Sequence, residues 1–97
     1  MKSEMHDHCV LLTGASGGIG QATARAFAAD GAKLVLHYHR NRAAVDSLLA
    51  ELPVPAVAAP ADLRDERQTD ALFAEALRPF PPIHALVLNA GIWDAPP

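Results

Sequence analysis

Residues Thr13-Gly14-Ala15-Ser16-Gly17-Gly18-Ile19-Gly20 follow the apolar run Cys9-Val10-Leu11-Leu12 and lead into an alanine-rich stretch with helical spacing. A strand that ends in a glycine-rich turn and continues as a helix can hold phosphate. Glycine is needed there where φ is positive or where a Cβ would block an approaching ligand. The helix start offers unpaired N–H groups and the positive end of its dipole to an anion. In the spacing T-G-x3-G-x-G, Gly14 permits the tight turn, Gly18 lets the backbone approach a pyrophosphate, and Gly20 lets helix and strand pack closely. Thr13 and Ser16 can add hydroxyl donors, and Gly17 and Ile19 complete the binding turn.

A second group of residues bears on what the pyrophosphate belongs to. An acid at the end of the second strand would accept hydrogen bonds from both ribose hydroxyls of NAD. This chain has Tyr38-His39-Arg40-Asn41 there, with no carboxylate. A guanidinium fork suits a phosphate dianion, and a helix beginning at Asn41 adds N–H donors. Arg40, His39 and Asn41 are therefore expected to favour the 2′-phosphate of NADP(H) over NAD(H), while His37 is expected to be structural and Arg42 to face solvent. Asp62-Leu63, after the third strand, can grip adenine, although Asp62 could equally serve a local turn. Asn89-Ala90-Gly91 falls at the end of the fourth strand, beside the first, where small residues let a dinucleotide lie against the backbone.

The elements that must position these groups alternate along the chain. Residues 10–12 form a short apolar strand, suited to a sheet buried on both faces. Small or apolar residues at 19, 23, 26 and 27 mark a helix over 19–30, stopped at Asp30-Gly31. Residues 33–38 form a second strand. Asn41 caps a helix whose stripe is Val45, Leu48, Leu49 and Leu52. Residues 57–59 form a weak third strand. Asp65 caps a third helix, with Gln68 as its capping-box partner and Leu72, Phe73, Ala76, Leu77 and Phe80 as its apolar face. Residues 83–88 form a fourth strand. The pattern β-α-β-α-β-α-β predicts an α/β, Rossmann-like, three-layer parallel sheet of strand order 3-2-1-4, here partial. The first two helices share one face and the third lies on the other. Leu86-Val87-Leu88 would then form an exposed apolar edge, which points to a larger fold or to pairing with another chain, including a second copy.

Composition sets the bounds. The chain has 97 residues, of which 51% are apolar, and a net charge of −3. It has enough apolar surface for a core and no basic cluster to follow a nucleic-acid backbone. No apolar run reaches the roughly 18 residues that span a bilayer. Residues 1–8 read as a polar, frayed tail without a secretory h-region, and residues 9–97 as the nucleotide-binding unit. The default location is the cytoplasm. The one cysteine, Cys9, is expected to be a buried hydrophobe. His6, His8 and Cys9 lack a second ligand cluster, so no metal is expected. The missing Gly-Lys-Ser/Thr excludes a P-loop, and an S-adenosylmethionine site would call for an acid after the second strand.

Taken together, these residues resemble the N-terminal half of the short-chain dehydrogenase/reductase (SDR) family. Residues 13–20 look like its cofactor turn, Asp62-Leu63 like its adenine-binding pair, and Asn89-Ala90-Gly91 like its N-A-G motif. The stretch His37-Tyr38-His39-Arg40 resembles the NADPH-selecting segment of pteridine reductases and of 3-oxoacyl-carrier-protein reductases. The resemblance implies NADPH-dependent carbonyl–alcohol oxidoreduction for the whole enzyme. Many NADPH-dependent members carry a basic residue where this chain has Gly17, which leaves the phosphate grip to Arg40. The family's catalytic Ser, Tyr-x3-Lys and helical Asn have no counterpart here, so no catalytic residue is assigned. The alternative expectation is a non-catalytic dinucleotide-binding or interaction module from a truncated gene of this family.

Overall fold

Strands and helices alternate in the order β1 (Cys9–Leu12), α1 (Gly18–Ala29), β2 (Lys33–Tyr38), α2 (Arg42–Glu51), β3 (Ala56–Pro60), α3 (Glu66–Ala76) and β4 (Ala85–Val87). The structure is a computed structural model that describes residues 5–89. All neighbouring strands are parallel, in the order β3-β2-β1-β4. Val10 of β1 stands beside Leu34 of β2 on one side and Ala85 of β4 on the other. This is the three-layer α/β arrangement and the strand order that alternation and right-handed crossovers predict.

Strand residues alternate between two cores. Val10, Leu12, Leu34, Leu36 and Tyr38 pack under α1 and α2 with Ala24, Ala28, Val45 and Leu48. Cys9, Leu11, Val35 and Ala59 pack under α3 with Leu72 and Ala76. Burial pushes the Cys9 thiol up, so it stays a neutral hydrophobe at neutral pH. The α2 stripe lies where its periodicity puts it, with Val45 and Leu48 buried and Leu49 and Leu52 packed beside them. Asn41 caps that helix by accepting from the Ala44 N–H at 3.1 Å. Arg25 of α1 donates to Glu51 at the end of α2 through both Nε, at 2.8 Å, and Nη2, at 3.0 Å, tying the two helices together on the surface.

Several local expectations are corrected. The fully buried face of α1 is Gly20, Ala24 and Ala28, with Phe27 packed beside it, and not residues 19, 23 and 26. Ile19 is 74% exposed, because the helix approaches the sheet on its smallest side chains and turns the larger Ile19 outward. On α3, Leu72 and Ala76 face the sheet, while Phe73 and Leu77 are exposed. Asp65 caps α3 by accepting from the Arg67 and Gln68 amides. Gln68 does not close a capping box. Its Oε1 accepts from the Asp62 N–H at 2.8 Å, and the Asp65 N–H goes to the Asp62 carbonyl instead.

The fourth strand is shorter than its apolar run. Its ladder starts only at Ala85 because His84 takes over the pairing one residue earlier. The His84 N–H donates to the Cys9 carbonyl at 2.9 Å, and the His84 Nδ1 accepts from the Cys9 N–H at 3.0 Å. His84 also stacks on His8, with ring centroids 4.3 Å apart. Residues 5–7 form a turn tied to the α1–β2 connection through Asp7 N–H to the Gly31 carbonyl, and Met5 packs on the first core. That part of the chain is docked, where a frayed tail was expected.

Candidate functional site

The order of strands reverses between β1 and β4, and the glycine turn stands at that reversal. Gly14 has φ 66°, a left-handed conformation that an L side chain resists. The turn then enters α1 through Gly17, an N-cap with φ −80° and no side-chain hydrogen bond. The first helical bond runs from the Gln21 N–H to the Gly17 carbonyl at 2.9 Å. The amides of Gly18, Ile19 and Gly20 precede it and have no intrahelical acceptor.

Space separates the roles of the glycines. A Cβ on Gly17 or Gly18 would meet no atom within 4 Å. Their φ values lie outside the left-handed region. The fold itself therefore demands glycine at neither position, and both Cα atoms face open space. Gly20 differs. A Cβ there would collide with the Gly14 carbonyl oxygen and come within 2.9 Å of the Ala15 Cα and 3.0 Å of the Asn89 Nδ2. Gly20 is where helix, turn and the end of β4 touch.

Thr13 and Asn89 join β1 to β4 beside this turn. The Thr13 Oγ1 donates to the Val87 carbonyl at 3.3 Å and accepts from the Asn89 N–H at 2.8 Å. Its hydroxyl, expected as a donor to a ligand, is taken up by the fold. The Asn89 Nδ2 reaches the Gly14 carbonyl at 3.5 Å. The Ser16 carbonyl accepts from the Gln21 Nε2 at 2.8 Å, which fixes the turn against α1. Ala90 and Gly91 lie outside the described residues.

His37 is buried, 2% exposed. Its Nδ1 accepts from the Gly14 N–H at 3.0 Å, its Nε2 lies 2.8 Å from the Ala61 carbonyl, and its own carbonyl accepts from the Ala15 N–H at 2.8 Å. Burial pushes the imidazole below its ordinary pKa, opposed in part by the Ala61 contact. The ring is structural, as the sequence implies. Its direct hold on the glycine turn is what sequence reasoning missed, since the two lie 23 residues apart.

At the carboxyl ends of β2 and β3, charge collects. Arg40 is exposed, and its guanidinium makes no hydrogen bond or ion pair among the described residues. Arg42 is exposed too, but its Nη1 donates to the Tyr38 hydroxyl at 3.1 Å, and its Nε lies 3.4 Å from Asp46. Asp62 is gripped by Arg64, Nε to Oδ1 at 3.0 Å and Nη2 to Oδ2 at 3.1 Å. The Arg64 side chain, then its backbone N–H, pulls the Asp62 carboxyl down to about 2, so it is ionised at neutral pH. His39 Nε2 stands 3.6 Å from the Asp62 Oδ2. Arg64 was not singled out in the sequence, although a carboxylate two residues before an arginine in a turn is a signal for such a local fork. Leu63 packs on the α3-side core.

A parallel sheet whose order reverses beside a bare, glycine-built helix start defines the dinucleotide-binding class of α/β folds. Comparison with known proteins narrows the class. The short chain dehydrogenase family model matches residues 8–97, and the chain belongs to the short-chain dehydrogenase/reductase family. It is 42% identical over 85 residues to a 3-oxoacyl-[acyl-carrier-protein] reductase of Synechocystis sp., covering 84% of this chain and 34% of that protein. It is 39% identical over 92 residues to an L-rhamnose 1-dehydrogenase (NAD(P)(+)) of Azotobacter vinelandii, covering 89% and 36%. A dehydrogenase/reductase structure from Sinorhizobium meliloti superposes with a TM-score of 0.83 at 28% identity, over 88% of this chain and 35% of that one. A Serratia marcescens short-chain dehydrogenase/reductase gives a TM-score of 0.86 at 22% identity, over 91% and 37%, and shares the fold. The chain thus spans about a third of the length of the relatives it matches. The cofactor of the family is a nicotinamide dinucleotide. No helix among the described residues is long and apolar enough to cross a membrane.

Proposed function

We propose that this chain is the cofactor-binding part of a short-chain dehydrogenase/reductase and that it takes NADP(H) in preference to NAD(H). The observation that carries the reading is the start of α1. The amides of Gly18, Ile19 and Gly20 precede the first helical bond without an intrahelical acceptor, and open space stands where a Cβ on Gly17 or Gly18 would project. Backbone donors so arranged suit a diphosphate. In this reading Gly14, Ser16, Gly17, Gly18, Ile19 and Gly20 surround the diphosphate, with Thr13 setting the strand from which the turn springs. His39, Arg40 and the Asn41 end of α2 take the adenosine ribose. Asp62 and Leu63 flank adenine, and Asn89, Ala90 and Gly91 form the floor at β4.

Arg40 supports the choice of NADP(H): its guanidinium follows β2 directly and holds no carboxylate, in contrast to Arg42 and Arg64. A charge-assisted hydrogen bond contributes roughly 1.5–3 kcal/mol. Arg40→Ala is accordingly expected to weaken NADPH binding about ten- to hundredfold and to leave NADH binding nearly unchanged, as read by isothermal titration. Equal loss for both coenzymes removes the role from Arg40.

When bound, the nicotinamide supplies or accepts hydride. For the whole protein we propose NADPH-dependent carbonyl–alcohol oxidoreduction, in line with the reductase and dehydrogenase names of its relatives. The chain's own residues bind and orient the coenzyme, and we assign none of them a proton-transfer role. A pure 97-residue sample is expected to give no NADPH-dependent carbonyl reduction above a blank. Measurable turnover would place catalytic groups within these 97 residues. The lone buried Cys9 suits a reducing compartment, and the cytoplasm is the location we propose.

One observation favours a second reading, an interaction module. Leu86 and Leu88 are 44% and 70% exposed, on the open side of the sheet at β4. A chain that self-associates through this edge and binds neither coenzyme would support that reading over the first.

A further inference from the structure

His37 makes no contact that a coenzyme requires, yet it holds the turn that would receive one. Of the three forms of an imidazole, one satisfies both ring contacts. The Nδ1 must carry a lone pair to accept from the Gly14 N–H, and the Nε2 must carry the proton to donate to the Ala61 carbonyl. This neutral ring bridges the turn after β1 to the residue after β3, and the His37 carbonyl fixes the adjacent Ala15 amide. Three of the sheet's carboxyl ends are thereby set relative to one another by one side chain.

We propose that His37 is a positioning residue for the dinucleotide site: its neutral Nε2–H form holds the glycine turn in place, and a proton added at Nδ1 releases Gly14 and weakens dinucleotide binding. This rests on the reading of the turn given above. A proton on Nδ1 would set two donors, the imidazolium N–H and the Gly14 N–H, against each other at 3.0 Å in a buried site. One must withdraw, and the strand that carries the ring is the central, doubly paired β2, whereas the turn is a loop. Gly14 is therefore the group that moves.

The surroundings leave the proton little compensation. The turn presents backbone amides, and the end of β3 presents the Ala61 carbonyl. From α3, Leu72 and Ala76 face inward, while Glu66, Arg67, Asp70 and Glu75 are exposed. His39, just past the end of the same strand, adds a repulsion when charged and is itself turned to Asp62, which Arg64 occupies. Among the described residues, no carboxylate bonds the ring. The folded state thus favours the neutral imidazole over the unfolded chain. The stability this brings is present above the ordinary histidine range near pH 6.5 and is lost as pH falls below it.

The test uses the 97-residue chain, labelled with 15N, and NAD+ as the probe. NAD+ lacks the 2′-phosphate, whose own titration near pH 6 would add a slope. In the free chain the Gly14 amide resonance is expected to move with the same midpoint as the His37 imidazole. NAD+ affinity is expected to fall about tenfold as that proton binds, the effect of losing one buried acceptor. His37→Asn places an amide oxygen where Nδ1 stands and accepts from Gly14 at every pH. It is expected to bind NAD+ close to wild type at neutral pH and to lose the tenfold fall. Equal pH slopes for wild type and His37→Asn, or a Gly14 amide that ignores the imidazole, would overturn the proposal. If wild type binds no NAD+ at any pH, the dinucleotide reading fails, and the Gly14 amide still decides whether His37 holds the turn.

Discussion

Gly20→Ala is expected to cost the chain a large part of its stability. The added methyl would strike the Gly14 carbonyl and crowd the Ala15 Cα, and both are backbone atoms held by the hydrogen bonds of the turn. A flexible side chain could rotate away from such a contact, but these atoms cannot. Overpacking of this kind costs about 3 kcal/mol, a large part of the roughly 5–15 kcal/mol that a small domain has. The urea midpoint followed by circular dichroism should fall by about 1–3 M, or the variant should fail to fold. A midpoint equal to wild type would mean that α1 does not approach the turn as described.

Gly18→Val is expected to do the opposite. Open space surrounds the position of its Cβ, and its φ lies outside the left-handed region. Stability should stay within about 0.5 kcal/mol of wild type, as for other exposed substitutions. Binding of both NADPH and NADH should disappear, because the valine branches fill the open space at the start of the helix. Titration calorimetry on a folded variant reads this directly. Retained affinity would place the diphosphate elsewhere. Two glycines two residues apart thus test different things, Gly20 the packing and Gly18 the ligand.

What the sequence made legible follows from how each element is stabilised. The strand order was readable because alternation and crossover handedness leave few other topologies. The α2 stripe was readable because Val45, Leu48, Leu49 and Leu52 are large and the helix packs on their bulk. The α1 face was misread for the converse reason. There the sheet is approached through Gly20, Ala24 and Ala28, with the expected Phe27 only at the margin, so small volume marks the fully buried side. Ile19, the most apolar residue of that helix, stands outside it. On α3 the apolar face was drawn too wide: one sheet face takes Leu72 and Ala76 and leaves Phe73 and Leu77 outward.

The candidate site divides in the same way. The glycine turn and its position at the strand reversal were visible as a local pattern. The links that set its geometry were not, because they join residues far apart in the chain: Gly14 to His37, Thr13 to Asn89, Cys9 to His84. Each uses a polar side chain in place of a ladder bond, and nothing in the spacing of Thr13 or His84 marks it for that use. Arg64 escaped notice for a different reason. Its fork on Asp62 spans two residues, and an exposed Asp-x-Arg is common enough to pass as surface.

The Thr13 hydroxyl has one more consequence. By gripping Val87 and Asn89 at once, it acts as a clasp that carries the direction of the first strand past the last rung of the fourth. The backbone of Asn89 is therefore anchored beside the end of the first strand, and a single oxygen atom does the anchoring.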